Sequence, residues 1–316
     1  MTLQPDSLES RTVPTLYFVG VTTGKSSIMK VFPRWSEILG LGAAIAGYDA
    51  PIHAPAEIYR AIVNHIKHDP LSMGALVTTH KIDLLEAARD LFDYLDPYAQ
   101  LCGEISCISK RDGRLEGYAK DPITSGLAWK AFVEPGHWGR TGAHVLCLGA
   151  GGSAVAISVF VASLPDRADR PAKFIVVNRS QPRLDTMQAI HARLNTDIVF
   201  EYICNADPRR NDALMASLPP GSMVINATGM GKDRPGSPVT DDGVFPERGL
   251  VWELNYRGEL DFMRQAERQA TRRELKIEDG WVYFLHGWTQ VIAEVFHLDL
   301  TPERFTELAD AASVIR

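Results

Sequence analysis

Long apolar runs are missing from this chain. No stretch approaches the ~18 residues of a membrane-spanning helix, and positions 1–14 are polar and acidic rather than signal-like. Neither a membrane protein nor a secreted one is expected. Cysteine is scarce: Cys102, Cys107, Cys147 and Cys204 form no Cys-x-x-Cys pair, and no histidine cluster has zinc spacing. This pattern points to reduced thiols in a cytoplasmic protein, with no metal site. Positive charge is also in short supply. A net charge of −6 argues against nucleic acid as the main partner. Repeats and low-complexity tracts are absent. What remains is an ordinary globular composition, 45% hydrophobic and 23% charged, over 316 residues. That length is generous for one core and comfortable for two domains.

The stretch His144-Val145-Leu146-Cys147-Leu148-Gly149-Ala150-Gly151-Gly152-Ser153-Ala154-Val155-Ala156 organises the rest. It reads as a buried parallel strand, a glycine turn and a helix of small residues. Gly149 can adopt the angles of the turn, and Gly151 lets the backbone approach a pyrophosphate. The helix N-terminus then offers N–H groups and a positive dipole end to that anion. Ala154 stands where a third glycine would otherwise allow close packing. A plain strand-to-helix turn has the same outline. The next apolar strand, Phe174-Ile175-Val176-Val177, ends at Asn178-Arg179-Ser180. An acidic residue there would hold the ribose hydroxyl of NAD, whereas arginine suits the 2′-phosphate of NADP. With Arg179, Arg183 close behind and no acid between them, the expected cofactor is NADP.

The first 120 residues alternate strand and helix. Strands are expected at 15–21, 43–48 and 74–78. Helices are expected at 26–33 (with a second segment at 34–39), 55–68 and 82–95. A hairpin follows, turning at Asp112-Gly113. Asp121-Pro122 opens a helix through Phe132. Beyond the glycine turn, strands are expected at 200–202, 223–228 and 250–254, and a helix at 212–216. The tail is helical at 261–273 and 283–296, and Thr301-Pro302 starts a final helix.

This order of motifs resembles the shikimate dehydrogenase family. The closest parts are Gly149 to Ala154, Asn178-Arg179-Ser180 with Arg183, Asn226-Ala227-Thr228-Gly229-Met230, and the hairpin from Arg111 to Tyr118. The resemblance implies a two-domain α/β fold: a substrate domain (1–123), a Rossmann NADP-binding domain (124–258), and C-terminal helices packing back on the first domain (259–316). It implies Gly149, Ala150, Gly151, Gly152, Ser153, Asn178, Arg179, Ser180, Arg183, Ala227, Thr228, Gly229 and Met230 as cofactor contacts. It also implies Lys81 and Asp121 as the catalytic pair, although Val77-Thr78-Thr79-His80-Lys81 is one residue shorter than the family run and lacks its proline. Lys81 begins a helix, where a cation is disfavoured unless a carboxylate offsets the cost. Asp121 before Pro122 also looks like a helix N-cap, and the two roles are compatible.

The substrate side departs from the family pattern. Its Ser-x-Ser-Pro loop is Gly24-Lys25-Ser26-Ser27 here, so one hydroxyl is lost and Ser26 survives. Ser106 replaces an asparagine. Thr78, Tyr256 and Gln290 complete the implied substrate set, with His286 one helical turn before Gln290. Lys25, Glu104 and Lys120 are candidates for a different polar pocket. Lost hydrogen-bonding groups change what a site accepts. The implied activity is therefore NADP-dependent hydride transfer on the CH–OH group of a cyclic hydroxy acid or polyol, as in aromatic amino acid biosynthesis, with a substrate that need not be shikimate. The alternatives are a catalytically silent nucleotide-binding regulator, and a dehydrogenase for a folate- or pterin-linked substrate using Trp252, Tyr256, Trp281 and Trp288. A small molecule is the expected partner, and a homodimer is admissible.

Overall fold

The computed structural model describes residues 8–232 and 234–315. The reading of positions 1–14 therefore lies outside the described residues for its first seven positions. The chain divides into two compact units. One runs to Lys120 and resumes at Gly287, and the other is Asp121–His286.

The first unit is built on a six-stranded mixed sheet. Its strands are β1 (Thr15–Gly20), β2 (Ala44–Asp49), β3 (Ser72–Val77), β4 (Tyr94–Leu95), β5 (Cys107–Arg111) and β6 (Arg114–Tyr118), in the order β2-β1-β3-β5-β6-β4. β1 pairs in parallel with β2 and β3, whereas β5 runs antiparallel to β3 and β6. The Asp112-Gly113 turn has positive φ at both residues (50° and 75°), as the tight hairpin requires. The helices are α1 (Ile28–Leu39), α2 (Ala56–His68), α3 (Lys81–Ala88) and α4 (Pro97–Cys102). Tyr17, Val19, Ile62, Ile66, Val77 and Leu84 form the centre of its core.

Two expectations for this unit fail for physical reasons. Pro33 does not divide a helix in two. α1 runs through it, since the buried face Ile28, Val31, Phe32 and Trp35 holds the segment and the Trp35 indole donates to the Leu308 carbonyl at 2.7 Å. Nor does a helix reach residue 95. After Ala88 the chain tightens and then pairs with the hairpin edge. Asp93 N–H donates to Leu115 O at 2.8 Å, and β4 lies beside Glu116 and Gly117. Long-range pairing overrides helical spacing there.

The second unit contains α5 (Asp121–Phe132), α6 (His137–Thr141), β7 (His144–Leu148), α7 (Gly152–Ala162), β8 (Lys173–Asn178), α8 (Gln181–His191), β9 (Val199–Cys204), α9 (Pro208–Ala216), β10 (Met223–Asn226), β11 (Leu250–Glu253), α10 (Asp261–Glu267), α11 (Ala270–Arg273) and β12 (Lys276–Glu278). Its six strands are all parallel, in the order β12-β11-β10-β7-β8-β9. This is the doubly wound Rossmann order. Alternate residues of β7 serve two cores: Val145 and Cys147 face one, Leu146 and Leu148 the other. Burial on both faces explains the unbroken apolar runs.

Because β12 pairs in parallel with β11, the helices α10 and α11 form its crossover and count with this unit. The division into compact units falls after Lys120 and after His286. α12 (Trp281–Phe296) carries the chain into the first unit again, where α13 (Pro302–Ser313) closes it. The Thr301 hydroxyl caps α13 by accepting from Arg304 N–H at 3.3 Å.

Candidate active site

In the second unit the sheet order reverses between β7 and β10, and both strands end in the same small region. Gly149 follows β7 with φ of 116° and donates its N–H to Val177 O at 2.7 Å. A Cβ there would lie 2.5 Å from the Ala227 carbonyl oxygen, so the backbone itself demands glycine. Gly151 is different. Its φ is −87°, and a Cβ would meet nothing within 4 Å. No packing contact explains a glycine at 151, and open space lies before the first turn of α7. The amides of that turn have no partner within the helix, and Gly151 provides no side-chain cap. Ala150 and Ala154 are buried, Ala154 within the core, where its methyl fits between helix and strand. Gly152 and Ser153 form the first turn.

Asn178 ends β8 and its amide donates to Ser180 O at 3.2 Å. Arg179 and Arg183 are exposed, and among the described residues neither guanidinium meets a carboxylate. This arrangement fits a dinucleotide: a turn that leaves room for a pyrophosphate, with two cations beyond the neighbouring strand.

The third part of the site is the loop after β10. Ala227 N–H donates to Leu148 O at 2.8 Å. The Asn226 side-chain oxygen accepts from Thr228 N–H (3.1 Å) and Thr228 Oγ1 (2.6 Å), and Met230 N–H donates to Thr228 Oγ1 at 3.1 Å. Gly229 turns the chain with φ of 73°. Asn226 Nδ2 donates to Glu253 Oε2 at 2.7 Å, Glu253 Oε1 accepts from Asn255 N–H at 2.9 Å, and Asn255 Nδ2 donates to Met230 O at 2.9 Å. Glu253 is fully buried, and burial raises its pKa to about 7. Sequence reading missed Glu253 and Asn255. A carboxylate closing the apolar strand Leu250–Glu253 was the available signal.

Tyr256 is partly buried, with its ring 4.7 Å from Phe284 and 5.5 Å from Trp281. Trp252, Trp281 and Trp288 are each buried, as core residues are. Burial also holds His286 neutral, lowering its pKa to about 4.

In the first unit, β1, β3 and β5 bring Thr78, Lys81 and Ser106 together. Thr78 donates its N–H (2.9 Å) and its hydroxyl (3.2 Å) to Val19 O. Lys81 opens α3, its N–H donates to Thr78 O at 3.1 Å, and its carbonyl accepts from Ile105 N–H at 3.3 Å. Ser106 is buried and its hydroxyl accepts from Lys120 N–H at 2.8 Å, one residue before Asp121. Asp121 itself is the first residue of α5, in the second unit. Ser26 follows a 3-10 turn, Thr23–Lys25, which Asp49 fixes by accepting from Thr23 N–H (2.7 Å) and Oγ1 (2.6 Å). Gln290 sits half-buried on α12.

Lys120, a candidate for the added pocket cation, is already engaged within the first unit. Its ammonium pairs with Glu294 of α12, which also lies 3.3 Å from Arg111. Tyr118 donates to Glu116 at 2.6 Å beside them. All four cysteines are free thiols, and burial pushes Cys147 up to about 12 and Cys107 higher still, so neither is a nucleophile. Among the described residues no cluster of His, Cys, Asp or Glu could hold a metal ion, and no helix is long and apolar enough to cross a membrane.

Two compact α/β units, one with a doubly wound parallel sheet and a glycine turn at its reversal point, define a two-domain protein with a Rossmann fold. No family model matches the chain. It is 29% identical over 234 residues to a shikimate dehydrogenase (NADP(+)) of Symbiobacterium thermophilum, covering 73% of this chain and 72% of that protein. Among solved structures it resembles the ligand-free 5-ketofructose reductase of a Gluconobacter strain (TM-score 0.70, 21% identity, 97% of this chain and 99% of that one). It also resembles a shikimate 5-dehydrogenase from Listeria monocytogenes in complex with shikimate and NAD (TM-score 0.72, 18% identity, 94% and 96%). Over most of its length the chain is thus similar to shikimate dehydrogenases in sequence and shares their fold.

Proposed function

We propose that this protein is an NADP(H)-dependent oxidoreductase that moves a hydride between the nicotinamide and the carbon of a secondary alcohol or ketone on a polyhydroxylated ring or hydroxy acid. The observation that carries the reading is Gly151. Neither its φ nor its packing requires glycine, and the space in front of it faces the start of α7, where a pyrophosphate would take the first-turn amides. Arg179 and Arg183 favour the 2′-phosphate over a bare ribose, and the NADP(+) in the name of the Symbiobacterium relative supports this choice. Gly149, Ala150, Gly152, Ser153, Asn178, Ser180 and the loop Ala227 to Met230 would complete the cofactor site.

The bound cofactor would supply the hydride acceptor or donor. The chain must then move a proton, because an alcohol that loses a hydride from carbon must also lose the proton on its oxygen. Lys81 and Asp121 are the proposed pair for that step. An adjacent carboxylate favours the charged ammonium and fixes its position, so the pair would orient the hydroxyl as well as exchange its proton. Ser26, Thr78, Ser106, Tyr256 and Gln290 are the proposed substrate contacts. Ser106 and Thr78 already hold backbone groups in place, so their part would be to shape the site.

Gly24 brings no hydroxyl to the first position of the substrate loop, and Lys120 is engaged by Glu294. Both observations weaken a carboxylate clamp. The 5-ketofructose reductase likeness supports a polyhydroxy ketone without a carboxylate as well as shikimate-type rings. The test is NADPH consumption with 3-dehydroshikimate, 3-dehydroquinate, keto-cyclitols and ketoses. Turnover of any of these, abolished by Lys81→Ala, supports the reading. NADPH binding with no turnover across the panel favours the silent regulator instead.

A further inference from the structure

We infer that His80 is the positioning residue for Lys81, donating from Nε2 to the end of β1, and that it takes over the anchoring of a loop with no proline. This rests on the proposed role of Lys81.

The connection from β3 to α3 is only Thr78-Thr79-His80, and nothing in its sequence stiffens it. His80 nevertheless is 1% exposed. It occupies the N-cap position of α3 without capping the helix through its side chain. The ring points away, and both nitrogens are engaged. Nε2 lies 3.1 Å from the Gly20 carbonyl oxygen. A carbonyl can only accept, so Nε2 carries the proton. With the ring proton on Nε2, Nδ1 accepts, and its partner is the Tyr59 hydroxyl at 3.0 Å. That hydroxyl spends its single proton on His80, while its oxygen accepts from Ala54 N–H at 3.1 Å. Asp83 Oδ2, 3.5 Å from the same hydroxyl, is the poorer acceptor for it and is held instead by His53 Nδ1 at 2.9 Å. Each donor thus has one consistent direction: Ala54 to Tyr59, Tyr59 to His80, His80 to Gly20.

The consequence for Lys81 is geometric. Thr78 hangs on the carbonyl of Val19 and His80 on that of Gly20, two consecutive residues of β1. The turn that presents Lys81 is therefore clamped on both sides to one strand end. The His80 carbonyl in turn accepts from Leu84 N–H at 2.8 Å, which starts the helix that Lys81 opens. Tyr59 adds the second wall, its ring centroid 5.4 Å from that of His80.

Three variants separate this role from general stability. His80→Leu removes both bonds, His80→Gln keeps a donor for Gly20, and Tyr59→Phe keeps His80 but removes its second bond. The position of Lys81 is read without activity, by reductive 13C-methylation of the lysines and titration of the Lys81 signal, assigned as the one missing in Lys81→Arg. We expect His80→Leu to shift that midpoint by about half a pH unit or more, with the other lysines unmoved. Its kcat should fall about 100-fold with the KM for NADPH unchanged, and His80→Gln should restore most of both. If His80→Leu does not fold, Tyr59→Phe should give the same shift at smaller size. An unmoved Lys81 signal in the folded variants overturns the inference. Should the wild-type protein turn over no substrate, the oxidoreductase reading fails on its own, while the Lys81 signal still decides whether His80 positions it.

Discussion

The Ala227 carbonyl oxygen stands 2.5 Å from where a side chain on Gly149 would begin, so the ends of β7 and β10 leave room only for hydrogen at position 149. Gly151, two residues on, has open space around it. The two glycines therefore part under substitution. Gly149→Ala is expected to cost about 2 kcal/mol or more, from the clash and the positive φ. Gly151→Ala is expected to unfold within about 2 °C of wild type but to bind NADPH at least about tenfold more weakly. Thermal unfolding with and without NADPH, beside a fluorescence titration, checks both. A Gly151→Ala protein that binds NADPH normally would remove the main support for a dinucleotide site.

Arg179 sets the second expectation. A charge-assisted hydrogen bond is worth about 1.5–3 kcal/mol, which corresponds to roughly 10–100-fold in affinity. Arg179→Ala should weaken NADPH by that factor and leave NADH nearly unchanged. Equal loss for both cofactors would assign Arg179 a role unrelated to the 2′-phosphate.

Glu253 gives a pH signature. Its folded pKa is raised from 4.5 to about 7, burial being the largest cause. A carboxyl raised on folding binds its proton more tightly in the native state. The stabilisation is thus present in full below about pH 4.5 and is lost as pH rises through about 7. The upper bound is about 3 kcal/mol. Glu253→Gln should flatten this fall. It should also lower stability at all pH values, since its amide would meet Asn226 Nδ2 or Asn255 N–H donor to donor. Chemical unfolding between pH 4.5 and 8 measures both effects.

Lys120 and Glu294 give the fourth. Their side chains are only 12% and 16% exposed, so removing one partner leaves a poorly hydrated charge. Glu294→Ala is expected to cost about 1–3 kcal/mol, between surface and fully buried pairs. Lys120→Ala in the same chain should recover part of it, as a coupled pair does. Simple additivity in that cycle would mean that the pair does not hold α12 to the hairpin.

The two-sheet fold was legible wherever local chemistry and tertiary structure agree. The run from His144 to Ala156 carries strand, turn and helix in its own residues, and Asp112-Gly113 specifies its hairpin without help. Position 95 was not legible, because residues 82–95 have helical spacing and only the hairpin edge makes β4 extended. β12 is three residues long and exists through its pairing with β11. For the candidate site, residue type alone singles out the glycine turn and the arginines as proposals. It does not single out the supporting groups. Nothing in the types of Asp49, His80, Asn255 or Glu294 says which backbone group or ion each will meet, since every partner lies on a different element. Lys120 shows the converse: a cation in a plausible place, already engaged by a carboxylate distant in sequence.

The most direct test is a paired titration of wild type and Lys81→Ala with NADPH and NADH, followed in the same samples by the ketone panel. The expected result is that both proteins bind NADPH more tightly than NADH, and that only the wild type consumes it. If neither cofactor binds the wild type, or if Lys81→Ala turns over as fast as wild type, the proposed chemistry is wrong.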